Sequence, residues 1–309
     1  VVLALALPAI QKVREVANRA VCASNLRQIA LAAQLYHNDR GKLPPGYLGP
    51  SWANNANLPV FYDEGQWVGH FPLLLPYLDQ RSLAQRLQVN FSVDAVAMQP
   101  LKIFRCHSAH DYTVPIGDPS LLGGGTVLGL HVYNNPSLGV RTAWWRDEYG
   151  PANEFRPLGR TNYMGVAGCG SGSHPVFGRY EGLYVNRMER TLGEVTSADG
   201  TSHTLLYGET CGYAGGAAAS WDICWMAGGG LGTFLGLHRG REARFTSFSS
   251  YHTGGVNFAF ADGSVRMLRF GATQWSGRMI HPFPADWYTL QELAGWRDGG
   301  SRDTSALLD

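Results

Sequence analysis

The stretch YHTGGVNFAFADGSVRML, Tyr251–Leu268, decides how the second half of this chain is read. Nine residues separate His252 from Asp262; Gly254-Gly255 follows the histidine and Gly263 follows the aspartate. A histidine and an aspartate near glycines suit an active site or a metal site. Asp-Gly between alternating apolar residues is also the strongest short-range hairpin signal, because both central turn positions want positive φ. Read as a two-residue type I′ loop, Asp262-Gly263 sets Ala261 against Ser264, Phe260 against Val265 and Phe258 against Met267. Phe258, Phe260, Val265 and Met267 then share one face of the pleat, and Asn257, Ala259, Arg266 and Leu268 take the other. On this reading Asp262 serves backbone geometry and Gly254-Gly255 is a break that lets the first strand begin. His252, outside the turn, keeps both readings open.

The chain around this stretch is 309 residues long, enough to bury a sizeable core without staples. A formal charge of +1 and scattered arginines give no basic stripe, which argues against a nucleic-acid partner. Charged residues make up only 16% while there are 39 Gly, 9 Trp and 14 Tyr, a mix that favours turns, aromatic packing and β structure over a helical bundle. Stretches such as LPPGYLGPSWANNANLP and GGAAASWDICWMAGGGLGTFLG read as loops and short strands rather than disordered linkers, because their Trp, Tyr and Leu residues seek burial. Phe71 to Val89 reads as a helix broken early by Pro72 and Pro76, and Ser202 to Glu209 as a strand after the Asp199-Gly200 turn.

At the other end, nine of the first ten residues are apolar and Pro8 is the tenth, after which Lys12, Arg14, Glu15 and Arg19 bring charge. Ten residues are too few to span a bilayer, which needs about 20, and neither the leading positive charges nor the cleavage site of a signal peptide is evident. Cys22, Leu26, Ile29, Ala33 and Tyr36 recur at spacings of four and three, the mark of a helix with one buried face. Gly41 and Pro44-Pro45 stop it. The expectation is a helix of about 35 residues, apolar at its tip and amphipathic below, kinked or irregular at Pro8.

Motifs of catalysis are missing. No G-x-S-x-G occurs; in GCGSGSHP, Ser171 and Ser173 lie near His174, but Cys169 stands where the first glycine is required. There is no S-x-x-K, no H-E-x-x-H and no complete phosphate loop. Glu209, Asp222 and His252 are the residues that could converge from a distance. Five cysteines, Cys22, Cys106, Cys169, Cys211 and Cys224, form no C-x-x-C pair, which weighs against a zinc site and a thioredoxin-like motif. Calcium wants clustered carboxylates, and Asp262 alone supplies one in its loop. The residues thus assign no catalytic, cofactor or metal ligand, with calcium as the cofactor to keep in view.

The ordered set LPAIQKVREVANRAVCASNLRQIALAAQLYHNDRGKLPPG, FPLLLPYLDQRSLAQRL, IFRCHSAH, TNYMGVAG, DGTSHTLLYGE, the His-x9-Asp-Gly stretch and LQELAGWRDGG resembles a large planctomycete family of pilin-like envelope proteins. That family carries a domain of unknown function, begins with a prepilin-type segment and ends in His, nine residues, Asp-Gly; here the motif comprises His252, Gly254, Gly255, Asp262 and Gly263. The basic stretch and Phe-Thr-Leu-Ile-Glu-like run that lead such proteins have no counterpart among these residues, and His107 stands where the family has proline. The resemblance implies an α+β, type IV pilin-like fold: residues 1–40 a long helix, and residues 41–309 a head with an antiparallel sheet, large loop insertions and a short C-terminal helix. It implies a non-enzymatic subunit of a surface filament or secretion-type pseudopilus, displayed from the cell envelope. Its partners would be copies of itself or other pilin-like subunits through the helix, and a membrane through the apolar tip. It also suggests a disulfide between Cys22 and Cys106, tying helix to head. The rival expectation is an envelope-anchored binding module, for glycan or another extracellular ligand, using exposed aromatics among Trp144, Trp145, Trp221 and Trp225.

Overall fold

A computed structural model describes residues 2–48, 68–89, 96–109, 125–135, 139–147, 159–169, 176–214, 220–244, 246–274 and 282–308. The fold is α+β, an N-terminal helix laid against a mixed sheet. Helix α1 runs Val2–Arg40 and continues through Pro8. It stops at Gly41, which sits at φ +76° and donates its N–H to the His37 carbonyl 2.7 Å away, a left-handed cap that only glycine takes without strain. The inward face follows the sequence spacing: Cys22, Leu26, Ile29 and Ala33 are fully buried.

The apolar segment after it divides. Helix α2 (Phe71–Leu74) and a 3-10 turn (Leu75–Tyr77) each carry a proline at their second position, Pro72 and Pro76, and α3 (Arg81–Val89) follows the left-handed Asp79. The prolines stand in first turns here rather than breaking an element, because an N–H missing from a first turn leaves no bond unmade.

The main sheet has the order β12-β11-β5-β4-β8, built from β4 (Tyr163–Gly168), β5 (Leu205–Glu209), β8 (Gly230–Gly232), β11 (Gly255–Phe260) and β12 (Val265–Arg269). The first four neighbours pair antiparallel, but β4 and β8 run parallel, so the sheet is mixed and not purely antiparallel as expected. Helix α1 covers one face through Tyr163, Leu206, Ala259 and Ala261. On the other, Met164, Val166, Val256, Phe258 and Phe260 meet Leu290 and Leu293 of a C-terminal helix, Ala285–Ala294. Covering both faces explains why LLYGE and GVNFAF are buried at every position. Strand β5 begins at Leu205, three residues later than read, because Thr201–Thr204 remain in the turn after Gly200. A second sheet, β2-β1-β7-β3 with β6 on β7, joins β1 (Gly125–Asn135), β2 (Gly139–Asp147), β3 (Arg160–Thr161), β6 (Tyr213–Ala214) and β7 (Ser220–Cys224), and β9 (His238–Arg239) pairs in parallel with β10 (Ser249–Ser250).

The hairpin forms, but one residue out of the expected register. Ala259 faces Val265, Phe258 faces Arg266 and Asn257 faces Met267. The loop holds three residues, Ala261, Asp262 and Gly263: the Gly263 N–H donates to the Phe260 carbonyl at 2.9 Å, and Gly263 alone takes positive φ, +83°. This is the three-residue hairpin with its left-handed residue last, not the type I′ turn. A one-residue slip turns a strand over. Phe258 and Phe260 therefore join the cluster under the C-terminal helix, while Val265 packs with the core against α1. The longer loop is held by its neighbours: Ala261 N–H donates to the Thr204 carbonyl and Asp262 N–H to that of Thr201.

Candidate functional site

Two features stand out, a buried polar cluster where α1 meets the head and an uncovered stripe on the far side of α1. The cluster gathers residues from four places. Cys22 comes from the inward face of α1. Cys106 follows the short Lys102–Phe104 turn, its N–H donated to Asn162 Oδ1 at 2.9 Å. Glu209 ends β5, and His252 lies just before β11. Their ligand atoms all lie within 4.8 Å of one another, and their exposures are 0, 7, 2 and 2% in that order.

Around them the polar groups are matched. His252 Nδ1 is 2.6 Å from Glu15 Oε1, and Nε2 points to Glu209 Oε1 at 3.4 Å and Cys106 Sγ at 3.6 Å. Asn257 donates its N–H to Glu209 Oε2 at 3.1 Å and its side-chain amide to Oε1 at 2.9 Å. Ser108 Oγ donates to the second Glu15 oxygen at 2.8 Å. The bond from Cys106 holds the Cys22 thiol down at about 5 against burial, with His252 helping; the same bond, and burial, push the Cys106 thiol up. Burial opposes a charged His252, but its bonds to Cys22, Glu209 and Glu15 outweigh burial and raise it to about 11. Two thiols, an imidazole and a carboxylate are donors for a borderline-soft transition metal, not for calcium, which takes oxygens.

The sequence readings fare unevenly against this arrangement. Glu209 and His252 do converge, whereas the side chain of Asp222 lies outside the described residues. Asp262 is exposed and takes no part; its Oδ1 accepts the Ser264 N–H at 2.8 Å, a turn role. Gly254 and Gly263 are backbone positions at φ +107° and +83°, and Gly255 opens β11. Cys22 and Cys106, the pair expected to bond, lie side by side as free thiols. The absence of a C-x-x-C pair pointed away from a metal, yet the donors come together without one, the nearest two in sequence being 43 positions apart. Glu15 reads in the sequence as one charge among several on a helix, and nothing local marks its place beside His252. Ser171, Ser173 and His174 lie outside the described residues, as do the side chains of Trp144, Trp145 and Trp221. Trp225 is fully buried, its indole N–H donated to the Gln99 carbonyl at 2.9 Å, so it forms no part of an exposed aromatic platform.

On its outer side α1 exposes Ile10, Val13, Val16, Val21, Leu31 and Leu35, with Val13 and Val16 at 70 and 69%. At roughly 100° of turn per residue these six fall within an arc of about 140°, opposite Cys22, Leu26, Ile29 and Ala33. The helix thus carries two apolar stripes, and the head covers one. Among the described residues, no helix is long and apolar enough to cross a membrane.

A family model described as "Protein of unknown function (DUF1559)" matches residues 11–269, and the chain belongs to that family. Comparison with curated proteins and with solved structures gave no match.

Proposed function

We propose that this member of the DUF1559 family is a pilin-like structural subunit of the cell envelope, its α1 serving as an assembly helix and its α+β head displayed outward. The carrying observation is the second apolar stripe of α1, exposed from Ile10 to Leu35 while the opposite stripe seats the head. Moving a valine or leucine out of water yields about 1.5–3 kcal/mol. A lone head gains none of this from the outer stripe, whereas helices of neighbouring subunits, packed stripe to stripe, would gain it at several positions. The apolar composition of Val1–Ile10 in the sequence suits a membrane or a filament core. In this reading the chain is not an enzyme; its work is to associate.

The test is association itself. The chain is expected to self-associate or to require detergent, and the triple change Ile10→Ser, Val13→Ser, Val16→Ser to leave a monomer with unaltered thermal unfolding. Sedimentation showing both chains equally monomeric would overturn the reading.

A further inference from the structure

We propose that Cys22, Cys106, Glu209 and His252 bind one zinc-class divalent metal ion, which fastens the assembly helix to the head. Donor chemistry is the first support: thiolate, imidazole and carboxylate are the ligand types of a closed tetrahedral structural site. Spacing is the second. With metal bonds of roughly 2.3 Å to sulfur and 2.0–2.1 Å to nitrogen and oxygen at tetrahedral angles, the S···N edge is about 3.6 Å and the N···O edge about 3.4 Å. Cys106 Sγ to His252 Nε2 is 3.6 Å, and His252 Nε2 to Glu209 Oε1 is 3.4 Å. Two of the six edges of a tetrahedral shell thus already have its spacing, and all four ligand atoms lie within 4.8 Å of one another.

The outer contacts are the third support. A metal-bound histidine commonly donates its other ring N–H to a carboxylate, which fixes the tautomer and aims the ring. Glu15 meets His252 Nδ1 at 2.6 Å and leaves Nε2 facing the other donors. Asn257 holds the Glu209 carboxylate with two donors in the same manner. Cys22 and Glu15 both belong to α1, and the other three ligands belong to the head, so one ion would join the two parts directly. Four protein ligands leave no open coordination position, which makes the site a fastener rather than a catalyst. Because the ligands are gathered only by the fold, binding energy becomes folding energy.

The test uses the whole chain, purified under reducing, anaerobic conditions, stripped with chelator and titrated with Zn(II) or Co(II). The expected result is one equivalent bound, thiolate-to-cobalt charge transfer with the visible bands of a tetrahedral ion, and a higher unfolding temperature in the presence of zinc. His252→Ala and Cys106→Ser should abolish tight binding. Glu15→Gln, which removes a support and not a ligand, should weaken affinity about 10–100-fold while keeping the tetrahedral spectrum. Since variants in this core can fail to fold, the wild-type titration stands alone as a test. No stoichiometric metal and no thermal shift in the reduced wild-type protein would overturn the proposal. So would an octahedral cobalt spectrum, or a Cys22–Cys106 disulfide found by peptide mapping of protein taken from its native source without reductant.

Discussion

His252 and Asp262 belong to one stretch of chain, yet they meet different physics. Asp262 is exposed and its carboxylate accepts the N–H of Ser264, two residues on in the same loop. His252, with its side chain wholly buried, touches groups from α1, β5 and the segment after Lys102–Phe104. The turn end is satisfied by its own neighbours in sequence. The histidine end is satisfied only by the completed fold, so a motif that names both residues joins two unrelated roles.

The sharpest way to break this comparison is to remove each side chain in turn. His252→Leu leaves the buried carboxylate of Glu209 facing two thiols without its imidazole partner. Breaking a buried charged pair from one side costs about 3–5 kcal/mol. Urea unfolding under reducing conditions should show a loss of that size, and a loss below about 1 kcal/mol would mean that the cluster is slack.

A second buried histidine sharpens the point that neighbours, and not burial, decide. His70 is fully buried, its Nδ1 near the Gly46 carbonyl at 3.2 Å and its ring stacked on Tyr184 at 4.5 Å. Burial, with no carboxylate beside it among the described residues, lowers it to about 4. Where His252 is raised, His70 is depressed. The unfolded chain takes up the proton near 6.5 and the folded chain only near 4, so stability is full above the unfolded value and falls as pH drops through this window. The loss should reach about 3 kcal/mol by pH 4. His70→Phe, which keeps the stacking, should flatten that part of the profile; an unchanged slope would assign the titration to another group.

How much of this was legible depended on distance along the chain. The inward face of α1 could be read because Cys22, Leu26, Ile29 and Ala33 repeat at helical spacing, and Gly41 could be read as its stop. The hairpin could be located from Asp262-Gly263, but not its register, because the loop length was set by Thr201 and Thr204, about 60 residues earlier. That single residue decided which face Val265 and Met267 took. The cluster was the least legible of all. Cys22, Cys106, Glu209 and His252 each sit in an unremarkable local pattern, and only the pairing of β5 with β11, together with the seating of α1, makes them neighbours.

Next to Asp262 stands Gly263, whose role is conformational. At φ +83° a β-branched side chain is strained, and an added Cβ would stand 3.3 Å from Gln34 Nε2. That amide donates to the Ala261 carbonyl at 2.9 Å and ties α1 to the hairpin loop. Gly263→Val should therefore cost about 1–3 kcal/mol in unfolding experiments, from the backbone first and the loosened contact second. A neutral result would show that the loop has another conformation within easy reach.

The smallest effect is expected at Asp262, and it tests the division most directly. Asn keeps an oxygen able to accept the Ser264 N–H, and it serves in this kind of turn as well as Asp does. Asp262→Asn should shift stability by no more than about 0.5 kcal/mol, as for surface changes away from special features. Its response to chelator should match that of the wild-type chain, whatever that response is, because the side chain has no contact with the thiols or with His252 among the described residues. If Asp262 and His252 instead acted together on one ligand, the Asn change would alter the chelator response or the metal stoichiometry while the hairpin stayed intact. Thermal unfolding of the two proteins with and without chelator separates these outcomes, since turn chemistry predicts two parallel shifts and a shared site predicts that only one protein moves.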